Sequence, residues 1–397
     1  MDIKANNSAE MKRKNRGLIM RMIRAQQMSR ADVARNAGLT RAAVTVIVES
    51  LICDGIIVEG ETVASDVGRR PTMLRIDPSA RFAFGVDISS AGITVGMTDL
   101  DGKVIERHAL PNSGEADHGG KSAVDMSGEI AALIKVMAAR HGVSGKRNLG
   151  VGVSAPGPVD VTAGRILDPP HLSAWRYFPV AEELGERLGV RVFIDKDANA
   201  LALAEKNSRS DSDNFLFIIA DNGLGGGFVK NGKLYRGAGG FGCEIGHIGI
   251  VFDGEQCRCG NHGCAELYAS IPSLMRYASR EGVGAENWKE TVERAQSGDA
   301  GCMALAGREA DMLASMCVSA VNVFEPEMIV LGGQLSIGAQ WFAPLLEERV
   351  SSRMITRKHH RVAVRGSRLS FDAGLSAASG LAVEDFFLRG EIDDDNT

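Results

Sequence analysis

Apolar residues recur at helical spacing through the first fifty positions and then break into short runs. Leu18, Ile19, Met22 and Ile23 predict a helix over 15–26, with Asn15 as its cap. Ser29-Arg-Ala-Asp32 supplies a polar N-cap with an acid three residues on. Val33, Ala34 and Ala37 follow, and Gly38 can end that short helix in the left-handed conformation. Thr40 caps the next helix, in which Val44, Ile47, Val48, Leu51 and Ile52 form one buried face before Gly55. Ile56–Val58 and Met73–Ile76 then read as short strands joined by a polar loop. Together these make a winged helix-turn-helix pattern over residues 1–80.

In such a motif the N-terminal part of the second helix enters the major groove. Winding at 100° per residue turns Ala42, Thr45, Val46 and Glu49 away from the apolar face. Thr45 suits a phosphate or a base edge, whereas Ala42 and Val46 suit a thymine methyl. Ser29, Thr40 and Arg41, at the starts of the two helices, join them as candidate DNA contacts. Arg69 and Arg70, framed by Gly68 and Pro71 in the wing, can reach phosphates or an A·T-rich minor groove. The alternative for the wing is a solvated turn, and for the whole head a trihelical dimerisation module.

Beyond residue 80 the period changes. Phe82–Ile88 and Ile93–Thr98 read as adjacent strands, and Leu100-Asp-Gly-Lys103 as a hairpin turn. A helix over 127–141 precedes the strand Leu149–Ser154 and the turn Ala155-Pro-Gly-Pro158. A helix over 180–188, the strand Val192–Asp195 and the strand Phe215–Ala220 lead into Asn222-Gly-Leu-Gly-Gly-Gly227. Strands alternating with helices predict an α/β body with partly parallel, buried sheets.

Charge sharpens this division. The net charge is -5, yet residues 1–80 hold 13 basic against 9 acidic side chains, leaving 32 against 41 for the rest. A basic head on an acidic body suits a head that alone meets a polyanion. With 44% hydrophobic residues the chain has ample core-forming material, which excludes a disordered or fibrous protein. No apolar run approaches the roughly 20 residues of a membrane span, and no basic segment leads into an apolar signal core. The expectation is a cytoplasmic protein with no membrane partner.

Three of the seven cysteines fall in Cys257-Arg-Cys259-Gly-Asn-His-Gly-Cys264, ten residues after His247. Clustered thiols in a reducing compartment read as metal ligands. Three thiolates and an imidazole, from His247, Cys257, Cys259 and Cys264, suit a closed structural Zn(2+) site, one per chain. His262 is the alternative imidazole. Cys53, Cys243, Cys302 and Cys317 are scattered and read as small core residues.

These residues resemble the ROK family (repressors, open reading frames, kinases), and in particular its regulators of the Mlc/NagC/XylR kind. The resemblance runs in order through the helix-turn-helix head, Ala155-Pro-Gly-Pro158, Asp195-Lys-Asp-Ala-Asn199, Cys243-Glu-Ile-Gly-His247, the cysteine turn through Glu266, and Val330-Leu-Gly-Gly333. It implies an actin-like, sugar-kinase-type fold. The first lobe would span about 81–198 plus a C-terminal helix near 372–390, and the second about 199–371. It further implies that Asp197, Glu244, His247 and Glu266 bind a sugar or sugar phosphate. Paired carboxylates suit that task, because sugar hydroxyls need acceptors; structural ion pairing is the alternative. If zinc takes one nitrogen of His247, the other is free for a ligand hydroxyl.

Two departures from the family bear on function. Asp87-Ile-Ser-Ser-Ala91 stands where the family's kinases have Asp-x-Gly-Gly-Thr, and Ala220-Asp221-Asn222 places an acid where they have a hydroxyl-bearing segment. Kinase phosphate loops are therefore degenerate, although Asp197 keeps the position of a catalytic base. Gly225–Gly227 can be read as a strand bend instead of a phosphate loop. Lys196 replaces the family's usual Asn; it either pairs with Asp195 or Asp197 or answers an anionic group on the ligand.

The expectation is a non-enzymatic regulator, a repressor of carbohydrate genes that binds operator DNA as a homodimer or homotetramer under a sugar-type effector. A ROK sugar kinase with an appended head is the alternative, and control by a protein partner stays open beside them.

Overall fold

The computed structural model describes residues 8–62, 72–89, 92–110, 121–169, 172–209, 211–370 and 373–390. The wing residues Arg69 and Arg70 lie outside them. The head comprises helix α1 (Ser8–Ala25), strand β1 (Met28–Ser29), helices α2 (Arg30–Ala37) and α3 (Arg41–Cys53), and strands β2 (Ile57–Thr62) and β3 (Thr72–Ile76). Helix α1 begins about two turns earlier than its apolar spacing suggests. Asn15 lies inside it and is no cap. Ser29 caps α2 by accepting from the Asp32 N–H, Gly38 closes that helix with φ 66°, and Thr40 caps α3. Helices α2 and α3 meet at 120°, within the range of helix-turn-helix pairs. β3 is flanked by β1 and β2 in a three-stranded sheet, of which β1 escaped the sequence pattern.

The body holds two five-stranded sheets. Strands β4 (Phe82–Ser89), β5 (Gly92–Asp99) and β6 (Val104–Leu110) form an antiparallel meander. After helix α4 (Ala123–Arg140), strand β7 (Asn148–Ala155) adds in parallel to β4. A small ribbon of β8 (Val159–Asp160) and β9 (Arg165–Ile166) and helix α5 (Val180–Leu188) precede β10 (Val192–Lys196), parallel to β7. Helix α4 starts earlier than expected because Ser122 and Asp125 form a capping box.

Helix α6 (Asp197–Ser208) crosses into the second lobe, where β11 (Phe215–Ala220), β12 (Leu224–Lys230) and β13 (Lys233–Tyr235) form another antiparallel meander. Helices α7 (Glu266–Ala269), α8 (Ile271–Arg280), α9 (Trp288–Gln296) and α10 (Ala300–Phe324) follow. Strand β14 (Met328–Gly333), helix α11 (Ala339–Arg353) and strand β15 (Ala363–Gly366) complete the sheet, with β14 and β15 parallel to β11. Counted in order of appearance within each lobe, both main sheets have strand order 3-2-1-4-5. The C-terminal ends of the parallel strands in both sheets therefore border one cleft, where ligands of open α/β sheets bind.

The last helix, α12 (Gly374–Arg389), returns to the first lobe and packs on β4 and β7. Three glycines permit that contact. A Cβ at Gly85 would meet the Leu375 carbonyl at 2.5 Å, one at Gly96 the Leu375 side chain at 2.6 Å, and one at Gly152 the Ala378 carbonyl at 1.8 Å. Gly225–Gly227 do not bend β12, which pairs without interruption with β11. They admit neighbours instead: a Cβ at Gly226 would strike Ile245, and one at Gly227 the α6 backbone at Ala198. Cys53 is exposed, whereas Cys243, Cys302 and Cys317 are buried as expected.

Candidate functional site

A cavity of about 250 Å³ lies between the lobes, lined by Asp87, Ser154, Asp197, Asp221, Ser336 and Ser370 among others. Asp87 lies near the C-terminal end of β4 beside α12, so close to Gly374 that a Cβ there would lie 2.3 Å from its carboxylate. Burial raises the Asp87 pKa. Asp197 opens α6, and its Oδ1 accepts from the Ala198 N–H at 2.6 Å. Burial pushes its pKa up to about 7, against the opposing effects of that hydrogen bond and of Lys196. Asp221 follows β11 and accepts from the Gln334 N–H at 3.0 Å, and burial raises it to about 6. The sequence pattern singled out each of these positions but could not show that three carboxyls share one cavity.

Glu244, His247 and Glu266 do not line that cavity; they stand on the second lobe's side of the cleft. The Lys196 ammonium joins the two lobes there. It donates to the Gly242 and Cys243 carbonyls at 3.0 Å each and to Glu244 Oε1 at 2.9 Å. Pairing with Asp195 or Asp197, expected from adjacency, is not found. Asp195 is instead held by Asn199 and by the Arg236 guanidinium at 2.8 Å. A buried ammonium with three acceptors has no donor left. Lys196→Met should therefore change the affinities for a neutral hexose and its phosphate by the same factor, measured by calorimetry. A loss tenfold larger for the phosphate would show that Lys196 reads a ligand charge.

Glu266 begins α7 and accepts from the Leu224 N–H at 3.0 Å, which ties the cysteine segment to the glycine strand. His247 closes a short helical turn, with Nδ1 3.7 Å from Cys257 Sγ. Cys259 and Cys264 place their sulfurs 3.7 Å apart. The ligand atoms of His247, Cys257, Cys259 and Cys264 all lie within 4.8 Å of one another, a group that can hold a metal ion. Zinc–sulfur bonds of roughly 2.3 Å at tetrahedral corners would set sulfurs about 3.8 Å apart, close to the 3.7 Å between Cys259 and Cys264. His262 is exposed and contacts the Gly254 carbonyl, outside the cage. Gly263 is indispensable to the turn, since it has φ 63° and a Cβ would lie 1.7 Å from the Val251 carbonyl.

On the head, Arg41, Ala42 and Val46 are exposed along α3, Val46 at 60%. Thr45 is half-buried and turns its hydroxyl back to the Arg41 carbonyl at 2.9 Å. Thr40 is exposed, with its oxygen engaged by the Ala43 N–H. Ser29 is only 5% exposed and exchanges hydrogen bonds with Asp32, so it acts as a cap and not as an outward contact.

The pattern of the ROK family matches residues 83–385. The xylose repressor of Caldicellulosiruptor bescii is 27% identical over 96% of this chain and 98% of its own. The glucokinase of Thermotoga maritima is 28% identical, over 76% of this chain and 96% of its own. Among solved structures, a ROK family transcriptional regulator described as a homolog of the E. coli MLC protein superposes with a TM-score of 0.79 at 23% identity. That match covers 96% of this chain and 98% of the other.

Proposed function

This chain belongs to the ROK family, and we propose that it is a sugar-responsive transcriptional repressor that reads operator DNA with α3 and a sugar-type effector with the cleft. The observation that carries the reading is the extent of the match. A xylose repressor aligns across nearly the whole chain, head included, whereas a glucokinase leaves about a quarter of it unmatched. The outward row of Arg41, Ala42 and Val46 supplies a groove-facing surface with small apolar groups and a guanidinium. Arg69 and Arg70 add phosphate contacts from the wing. Symmetric half-sites call for at least a dimer.

In the cleft, Asp197, Glu244 and Glu266 accept sugar hydroxyls. His247, whose Nδ1 lies 3.7 Å from Cys257 Sγ, would hold zinc through that nitrogen and leave Nε2 for the ligand. Zinc bound by His247, Cys257, Cys259 and Cys264 supplies structure and leaves no position open for a reacting water. Lys196 serves the site by fixing Glu244. Phosphoryl transfer is disfavoured, because Asp221 puts an acid against the turn at Gly333, where a Cβ would lie 2.7 Å from its carboxylate.

The effector acts by population shift, through different affinities for two arrangements of the lobes. The test is retention of genomic fragments by the full chain, repeated across a panel of neutral and phosphorylated sugars. Selective retention that one sugar abolishes or strengthens is expected. ATP-dependent turnover of any sugar in a coupled assay would overturn the reading in favour of a kinase.

Proton linkage gives a further check. The raised pKa of Asp197 leaves its carboxyl neutral below about 7. Only the ionised form accepts hydroxyls at both oxygens, so sugar affinity should fall as pH drops from 8 to 6. Asp197→Asn should flatten that profile and weaken binding at pH 8. Stability runs the other way: the folded carboxyl holds a proton that the unfolded one has lost. The unliganded fold therefore loses stability as pH rises from about 4 to about 7.

A further inference from the structure

The ends of α12 meet two different parts of the molecule. Its first turn lines the interlobe cavity through Gly374, Leu375 and Ser376. Its last turn shares a core with the head, in which Phe386 and Phe387 join Ile19, Met20 and Ile23 of α1 and Val48 and Leu51 of α3. The helix that joins these surroundings has sixteen residues and is about 24 Å long from end to end. Between them, Ala377 and Leu381 pack on Ala200 and Leu203 of α6, the helix that Asp197 opens.

The contact with α1 is made backbone to backbone. A Cβ at Gly17 would lie 2.9 Å from the Phe387 and Leu388 carbonyls, and one at Gly390 would lie 2.5 Å from the Gly17 nitrogen. Arg21 Nη1 donates to the Phe387 carbonyl at 2.8 Å, and the Arg24 guanidinium covers the Phe387 ring at 4.4 Å. Arg16 does more than either. Its Nε donates to the Gly390 carbonyl at 2.6 Å, its Nη1 to Ser50 Oγ of α3 at 2.8 Å, and its Nη2 to Asp54, the residue capping α3. The side chain is buried at 7% exposure, and its planar fork fixes all three directions at once.

We propose that α12 is a strut between the cleft and the DNA-reading helix, and that Arg16 is the positioning residue joining the end of α12 to the end of α3. A shift of α12 at the cavity then reaches α3 through one rigid helix and one buried guanidinium. Such coupling is read as non-additivity between a change at the cleft end of α12 and a change at Arg16.

Hydrogen–deuterium exchange on the full chain measures it. Gly374→Ala pushes on α12 from its cleft end, since the new Cβ would meet Asp87 at 2.3 Å. Arg16→Gln cuts the joint. Gly374→Ala is expected to speed exchange of α3 amides at least fivefold with Arg16 present and less than twofold with Arg16→Gln. Arg16→Lys, which keeps the charge without the fork, should behave as Arg16→Gln. If Gly374→Ala does not fold, Ser376→Ala supplies a gentler push by removing the 2.9 Å bond to the Gly102 carbonyl.

Equal acceleration in both backgrounds overturns the proposal, as does unchanged α3 exchange with either cleft-end variant. Full coupling through Arg16→Lys overturns it too. The inference rests on the repressor reading for its purpose, but the measurement uses neither sugar nor DNA. The failure of one is therefore distinguishable from the failure of the other.

Discussion

Cys264→Ser is expected to reduce bound zinc from about one per chain to near zero and to unfold the segment from His247 to Glu266. Cys264 is wholly buried and sits at the crossing of the turn, where its sulfur lies 3.7 Å from Cys259 and its strand position bridges Gly249. Beyond the packing of Ile248 and Ile250 on the second lobe's core, residues 248–263 are held by short bridges and turn hydrogen bonds, and many of their side chains are exposed. Structural zinc in small sites contributes about 10–16 kcal/mol to folding at neutral pH. Its loss should therefore release the turn completely.

The effect should reach the proposed ligand site, because Glu266 follows the last cysteine by two residues and fixes the Leu224 N–H. Metal analysis, together with exchange of the Leu224 amide, checks both parts. Full occupancy of a folded Cys264→Ser chain would show that zinc is held elsewhere. A metal-free wild type with a protected Leu224 amide would remove the metal from the structural account.

The second large effect is expected from one methyl group. Gly152→Ala should destabilise the chain by about 3 kcal/mol, at the upper end of what overpacking usually does. The Cβ would lie 1.8 Å from the Ala378 carbonyl and 2.7 Å from its carbon, and neither is a flexible side chain. Either β7 or α12 must move. Because α12 carries part of the head's core, loss of α1 protection should accompany the loss of stability. Ala163→Gly, at an exposed turn, provides a control that should change stability little. Thermal unfolding and exchange at α1 test this. A Gly152→Ala chain as stable as wild type would mean that α12 is not seated as closely as its geometry indicates.

Much of the architecture was legible in the chain because local chemistry and tertiary packing agree. In α3 the cap at Thr40, the apolar spacing from Val44 to Leu51 and the stop at Gly55 all mark one element. The start of α1 was not legible, since Met11 to Lys14 are mostly charged and carry no apolar period. The cysteine cage was readable from spacing alone, including the preference for His247, because His262 falls within a turn too tight to bring its ring inward.

Long-range pairings escaped. Lys196 has carboxylates on both sides in sequence, yet its partner is Glu244 from the other lobe. The strand direction at β10 sends the side chain across the cleft, and no local pattern encodes that. Arg16 was similarly hidden: its partners lie 34, 38 and 374 residues away. One glycine run was misread. In β12 it signals the approach of another backbone or side chain, whereas its sequence context suggested a bend.

The return of α12 to the first lobe also sets a schedule for making the protein. Its seat on β4 and β7 is synthesised before residue 156, but the helix that fills it begins at Gly374. At 5–20 residues per second, a ribosome leaves that seat uncovered for about 10–45 s. During this interval the head has its own helices but lacks Phe386 and Phe387 from its core. A nascent chain can thus present α3 well before it has α12, which completes the core around it. The head's core is complete only once α12 has left the exit tunnel, so premature termination anywhere in the second lobe yields a head without its support.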